Sequence, residues 1–123
     1  MRYPNSPFGS APSDPDAAVA GSFGAAAEIT LLTGGTVAKD TDTKNLLIDT
    51  FADAASDDLT NITGYDEGDL ILVRAAHTDR TVVMKDGANM NLQSDFSLSN
   101  TERSMILLNI GSNKWTEFSR AAN

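Results

Sequence analysis

Two segments of this sequence are apolar at every position, and they constrain the fold more than any other feature. They are residues 70–73 (LILV) and residues 105–108 (MILL). A strand with one face on a core and the other in water alternates apolar and polar residues, whereas a strand covered on both faces is apolar throughout. The two segments therefore predict strands whose second face is also covered.

The size of the chain bears on what could cover that second face. The chain has 123 residues and no cysteine, so one small domain without disulfides or thiolate-bound metal is expected. Short strands in such a domain cannot easily cover central strands on both sides, because only about two-thirds of the unfolded surface is buried. We therefore expect an oligomer that buries strand faces between subunits. The alternative is a compact monomeric sandwich whose two central strands happen to be well covered.

From Glu28 onward the sequence has the pattern of an all-β protein. Short β-branched or alternating segments are separated by turn signals about 8–12 residues apart, which predicts a small antiparallel β module over residues 28–123. The acidic stretch at residues 52–69 is interpreted as a loop with one short strand at its centre. The predicted strands are residues 29–33, 46–51, 59–63, 70–75, 81–85, 90–92, 96–98, 104–110 and 114–119.

Residues 1–27 form a separate N-terminal segment. It contains all four prolines of the chain. Such a composition cannot bury enough apolar surface to offset the conformational entropy of the chain. One interpretation is a disordered tail. The other is an extended arm that becomes ordered on a partner, because isolated apolar side chains occur along it. These candidate anchors are Tyr3, Phe8, Val19 and Phe23.

The charge balance limits the possible partners. The net charge is −8, from 17 acidic and 9 basic residues. Nucleic-acid-binding modules neutralise phosphates with clustered lysine and arginine, and the basic residues here are scattered, so no nucleic-acid partner is expected. No membrane partner is expected either, because acidic chains are weakly attracted to anionic membranes and no apolar run approaches the roughly 20 residues that span a bilayer.

No catalytic motif is recognisable in the sequence. His77, the only histidine, lies in a predicted turn beside Asp79, and the chain lacks the G-x-S-x-G elbow of many Ser–His–Asp hydrolases. The acidic residues between positions 53 and 69 do not match a calcium-binding EF-hand, and Gly34-Gly35 lacks the helix that follows a phosphate-binding loop. We predict no enzymatic activity, no cofactor and no metal. A glycan hydrolase built on paired carboxylates is the enzymatic rival.

Segments of the C-terminal half carry a family resemblance. They are GDLILVR at residues 68–74, RTVVMKDGANMNL at residues 80–92, and ILL at residues 106–108 followed by NKWTE at residues 113–117. These segments resemble a strand, a hairpin and a closing strand pair of fibre and decoration (cement) proteins of tailed bacteriophages. Residues 28–63 have no counterpart in that resemblance.

The resemblance implies a trimeric, β-stranded module on the outside of a virion, and the short chain favours a decoration protein over a fibre with a long shaft. Such a protein would bind the major capsid protein at threefold or quasi-threefold sites on the outer capsid surface and stabilise the shell. The alternative is a short head or tail fibre or receptor-binding protein; a cellular carbohydrate-binding domain is a further possibility. In the implied intertwined homotrimer, residues 1–27 would contact the capsid. Eight apolar residues are expected to form its core or interface: Leu70, Leu72, Val82, Met84, Ile106, Leu108, Trp115 and Phe118.

Overall fold

The structure is a computed structural model and describes residues 23–122. Apart from a 3₁₀ turn at Phe51–Asp53, its regular elements are β-strands, so the all-β prediction is confirmed. Within the described residues, no helix has the length and apolar character needed to cross a membrane. The strands are β1 (Ala27–Thr30), β2 (Thr36–Ala38), β3 (Asn45–Asp49), β4 (Ser56–Leu59), β5 (Asn61–Thr63), β6 (Leu70–Ala75), β7 (Thr81–Met84), β8 (Met90–Asn91), β9 (Phe96–Leu98), β10 (Ser104–Gly111) and β11 (Lys114–Ala121).

The strands form three sheets around one apolar core. The six-stranded sheet has the order β1-β3-β6-β10-β11-β8, the second sheet pairs β2 with β5, and the third has the order β4-β7-β9. The first seven strands pair with one another only in parallel, as β1–β3, β2–β5, β3–β6 and β4–β7. Antiparallel pairing joins β6 to β10, β10 to β11 and β7 to β9. The prediction of an antiparallel module is therefore wrong for the pairs that β1 to β7 form among themselves, and also for β8, which pairs in parallel with β11.

The parallel pairing arises because the chain winds through the three sheets in successive turns. β3, β4 and β5 lie one in each sheet, and β6 and β7 then pair with β3 and β4. Thr36 pairs with Asn61 and Ser56 with Thr81, so one turn takes about 25 residues. Parallel strands need a long crossover connection, and here the strands of the other two sheets supply it. The architecture is a short three-sided β-solenoid.

The first turn is shorter and closes the N-terminal end of the core. After β1 the chain passes directly to β2 without contributing a strand to the third sheet. Leu31 and Val37 are fully buried along this path. Gly35 has φ of 88°, and a Cβ there would lie 2.7 Å from the Asp58 carbonyl oxygen. Only glycine fits this position, since it tolerates positive φ and has no side chain to collide.

The antiparallel hairpin β10–β11 closes the other end of the core. Trp115 is only 1% exposed. Its indole N–H donates to the Ile62 carbonyl oxygen at 2.9 Å, which satisfies a backbone acceptor of β5. The ring also packs edge-on against Tyr65, with a centroid distance of 5.7 Å. Trp115 is thus a core residue that links the hairpin to the preceding solenoid turn.

Two strands were missed by the sequence analysis, β2 and β4. β4 lies in the acidic stretch that was predicted to be a loop, and Asp57 and Asp58 occupy its centre. Aspartate is depleted in strands, but β-propensity depends on context. Here Leu59 is fully buried, and β4 pairs with β7 along its whole length. Core packing and backbone pairing therefore outweigh the unfavourable local propensity.

Candidate interaction surface

The eight residues predicted for the core or interface fall into two groups. Val82, Met84 and Trp115 are buried inside the single chain, with exposures of 0 or 1%. The other five are partly or largely exposed, and they belong to strands of the six-stranded sheet: Leu70, Leu72, Ile106, Leu108 and Phe118.

Strand alternation accounts for this division. In β6 every second residue is fully buried, while the alternate residues Leu70, Leu72 and Arg74 are partly exposed. β10 alternates in the same way, with Ile106 and Leu108 on the partly exposed side. The register pairs Leu72 with Ile106 and Leu70 with Leu108. Paired residues share a face of a sheet, so these four aliphatic side chains form one patch on the outside of the solenoid.

One further aliphatic residue extends this patch, and two exposed apolar residues lie in the neighbouring hairpin. Leu47 of β3 is partly exposed and pairs with Arg74. Ile110 and Phe118 are 51% and 66% exposed, and each lies where the register between β10 and β11 shifts. We call the five aliphatic residues of the outer sheet face the outer patch: Leu47, Leu70, Leu72, Ile106 and Leu108.

The outer faces of the two smaller sheets are polar by comparison. In the three-stranded sheet, one outward row consists of Asp58, Val83 and Ser97. In the β2–β5 pair, Thr36 lies opposite Asn61 on the outward side. Among the described residues, only the six-stranded sheet presents an aliphatic outer face. A grouped apolar surface of this kind is typical of an interaction site.

A second candidate site is a group of charged side chains in β1, at the end of β3 and just after β6. Candidate ligand atoms of Glu28, Asp49 and His77 lie within 4.8 Å of one another. However, Arg80 donates to both carboxylate oxygens of Asp49, at 2.8 and 3.3 Å, and the Thr50 N–H donates to the same carboxylate at 2.8 Å. A bidentate guanidinium already neutralises that carboxylate. The group is therefore best described as a structural ion-pair cluster.

This cluster was not predicted from the sequence. His77 was expected beside Asp79 in a turn, whereas His77 Nε2 lies 3.5 Å from Glu28 and 3.7 Å from Asp49. The parallel register causes this arrangement, because the ends of β1, β3 and β6 meet at one edge of the solenoid. Residues far apart in sequence are thereby brought together, and no local motif marks them.

Replacing Asp49 with asparagine is expected to destabilise the fold by about 2 kcal/mol, because Arg80 would lose its partly buried partner. The side chain of Asp49 is 9% exposed, and that of Arg80 is 22% exposed. Asp53→Asn is the matched control, since Asp53 lies 3.8 Å from the same guanidinium but is 75% exposed. Its loss should change the unfolding free energy by less than about 0.5 kcal/mol. Urea unfolding of both variants checks this, and equal effects would contradict the assignment.

A shallow depression beside the outer patch is lined by Lys44, Gly68, Asp69 and Leu70. Lys44 Nζ lies 3.3 Å from the Asp69 carboxylate, which also accepts the Asp66 N–H at 2.9 Å. Burial raises the pKa of Asp69, but these hydrogen bonds outweigh it and lower the pKa overall. The polar groups in the depression thus satisfy one another, as expected for a structural ion pair.

The other perturbed groups also have structural roles. Arg120 donates to both carboxylate oxygens of Glu117 at 2.7 Å, which lowers the pKa of Glu117. A hydrogen bond from Lys85 lowers the pKa of Asp95 in the same way. Burial raises the pKa of Tyr65 to about 12, and its hydroxyl donates to a backbone carbonyl. These shifts follow from ion pairing and burial in the folded chain.

Of the four predicted arm anchors, Tyr3, Phe8 and Val19 lie outside the described residues. Phe23 is partly buried, and its carbonyl oxygen accepts hydrogen bonds from the Lys44 N–H at 3.1 Å and the Thr43 hydroxyl at 3.0 Å. The final residues of the predicted arm are therefore attached to the β module, and β1 already begins at Ala27.

No protein-family model matches the chain, and no curated protein gives a significant match to it. The outer patch and its surroundings are therefore the features on which a functional proposal can be based.

Proposed function

We propose that the chain is a non-enzymatic structural protein of a virion, namely a homotrimeric capsid decoration (cement) protein. In this proposal it binds the major capsid protein at threefold or quasi-threefold sites on the outer capsid surface and stabilises the shell. The outer patch supports the self-association, and the resemblance of the C-terminal motifs to phage fibre and decoration proteins supports the location.

The observation that carries the proposal is the contrast between the three outer faces of the solenoid. One presents the outer patch, whereas the other two present mainly polar residues, for example Asp58 and Ser97 on either side of Val83, and Thr36 opposite Asn61. An aliphatic sheet face is stabilised when another surface removes it from water. In a closed threefold ring each subunit offers one such face to its neighbours, and the polar faces remain outside.

Capsid attachment is assigned to the N-terminal arm, whose apolar anchors are spaced along residues 1–23. A trimer presents three arms, so after one arm has bound, the others bind at high effective concentration. Weak contacts by single side chains such as Tyr3 and Phe8 can then add up to stable decoration. The same geometry lets one trimer connect neighbouring capsid subunits.

Deleting residues 1–22 is expected to abolish capsid binding while leaving a folded trimer. The truncation should stop before Phe23, because its carbonyl oxygen bonds to Thr43 and Lys44. Co-sedimentation with capsids that lack the protein measures binding, and light scattering measures the mass. The full-length chain is the control. Normal decoration by the truncated trimer would contradict the role of the arm.

The second candidate, a short head or tail fibre or receptor-binding protein, is favoured by one observation. The chain winds in parallel turns of about 25 residues, and repeated turns of this kind can extend along an axis. Copy number in purified particles discriminates between the two. A decoration protein should approach the abundance of the capsid protein, whereas a fibre should be present in only a few copies.

A further inference from the structure

Arg74 occupies an unusual position at the margin of the outer patch. It lies on the outward side of β6, between Leu47 and Ser104 in the register of the sheet. One terminal nitrogen donates to the Asn45 side-chain oxygen at 3.3 Å. Its Nε is buried and has no hydrogen-bond partner. A guanidinium carries five N–H donors, so Arg74 has unused donor capacity at the margin of the aliphatic outer patch.

The other basic residues in the strands of this sheet have partners. Arg120 binds the Glu117 carboxylate, and Lys114 donates to the Ala88 carbonyl oxygen. Arg74 makes no ion pair within residues 23–122. Covering the outer patch would take its charge out of water, and this is costly unless a carboxylate comes with the covering surface.

The same face carries one carboxylate that no lysine or arginine binds among the described residues. The strands of the six-stranded sheet contain three acidic side chains: Glu28, Asp49 and Glu117. Asp49 is bound by Arg80 and Glu117 by Arg120. Glu28 is 50% exposed, and its ion-pair neighbour is His77 at 3.5 Å.

Glu28 and Arg74 form no ion pair with each other within residues 23–122. Glu28 pairs with Leu47, and Leu47 pairs with Arg74, so two strand spacings separate them. Their backbones are therefore roughly 10 Å apart, and among residues 23–122 the Glu28 carboxylate lies beside His77 while the Arg74 guanidinium donates to Asn45. The outer face therefore presents one unsatisfied positive and one available negative charge on either side of Leu47, an arrangement that is complementary to a second copy of itself.

We propose that Arg74 of one copy pairs with Glu28 of a neighbouring copy across the subunit interface. This pairing rests on the self-association proposed above and adds how neighbouring copies are oriented relative to each other. In a closed ring every subunit contributes one arginine and one glutamate, so all the charges are paired. Aliphatic side chains alone allow neighbouring sheets to slide, whereas a charge pair disfavours every register that leaves it unmatched.

Charge reversal tests the pairing in the full chain. Sedimentation equilibrium of Arg74→Glu and of Glu28→Arg should each show at least a hundredfold weaker association than the unaltered protein. The double variant Glu28→Arg/Arg74→Glu should recover association to within about tenfold, since it restores opposite charges. A double variant no better than the single variants would overturn the pairing.

Neutral substitutions distinguish the loss of the charge pair from a general effect on folding. Arg74→Gln should weaken association, whereas Arg103→Gln should not, although Arg103 also has a buried Nε without a partner. Arg103 stacks on the Phe96 ring at 4.8 Å instead of joining the outer patch. A trimeric unaltered protein whose association is insensitive to Arg74→Gln would overturn only the charge pair. An unaltered protein that is monomeric at every concentration would overturn the proposed function as well.

Discussion

Replacing Leu108 with lysine is expected to convert the proposed trimer into a folded monomer. Leu108 is partly exposed, pairs with Leu70, and lies within the outer patch. In a subunit interface the new ammonium group would be buried without a partner, at a cost of at least about 3 kcal/mol per site. That cost corresponds to a more than hundredfold increase in the dissociation constant. Light scattering should therefore give the mass of one chain.

The fold of this variant should survive, because in a monomer the lysine stem can lie along the sheet with its charge in water. Val83→Lys is the matched control, since Val83 is a partly exposed aliphatic residue on the outward side of the three-stranded sheet, between Asp58 and Ser97. It should remain trimeric. If both variants dissociate, or neither does, the outer patch is not the interface.

Replacing Trp115 with alanine is expected to have the largest effect on stability within a single chain. The substitution leaves a cavity in the core, because Trp115 is only 1% exposed. It also removes the edge-on contact with Tyr65 and leaves the Ile62 carbonyl oxygen without its indole donor. Truncations of this kind cost about 3–5 kcal/mol. For so small a domain that is a large share of the total stability.

The matched variant Trp115→Phe separates packing from hydrogen bonding. It keeps an aromatic ring beside Tyr65 but removes the N–H that Ile62 uses, so a smaller loss of about 1–3 kcal/mol is expected. Urea unfolding monitored by far-ultraviolet circular dichroism measures both variants. Measurements should be made in the Leu108→Lys background, where association does not add to the stability. Similar effects of alanine and phenylalanine would contradict a packing role.

The sequence predicted which strands carry apolar faces more accurately than it predicted how the strands pair. The continuous apolar segments at residues 70–73 and 105–108 correctly indicated strands with apolar side chains on both faces: inward residues such as Ile71 are buried, and outward residues such as Leu72 form the outer patch. Hydrophobic periodicity reports the faces of a strand directly. The cover of the outward face by another subunit stays a prediction.

The solenoid winding could not be predicted from hydrophobic periodicity. Short strands with turn signals every 8–12 residues or so are typical of antiparallel β proteins, but a three-sided solenoid places a corner after each short strand and produces the same rhythm. Strand direction depends on which segments pair, for example Ser56 with Thr81, and that choice is made by long-range packing. β4 was missed for a related reason, since its two aspartates locally disfavour a strand.

The ion-pair cluster was not predicted from the sequence, because only the parallel register of the folded sheet brings its residues together. Glu28 and Asp49 lie in β1 and β3, and His77 follows β6, with no fixed spacing that a motif could encode. In the sequence, Arg74 is only one residue of the predicted strand at residues 70–75. Its unsatisfied Nε became apparent only in three dimensions.

The central claim is that the outer patch is buried between copies of this chain. The most direct test is the mass of the full-length protein in solution, measured by multi-angle light scattering across a range of concentrations. One chain has a mass of 13.0 kDa. We expect a species with the mass of three chains, and a mass of 13.0 kDa at every concentration would contradict burial of the outer patch between copies.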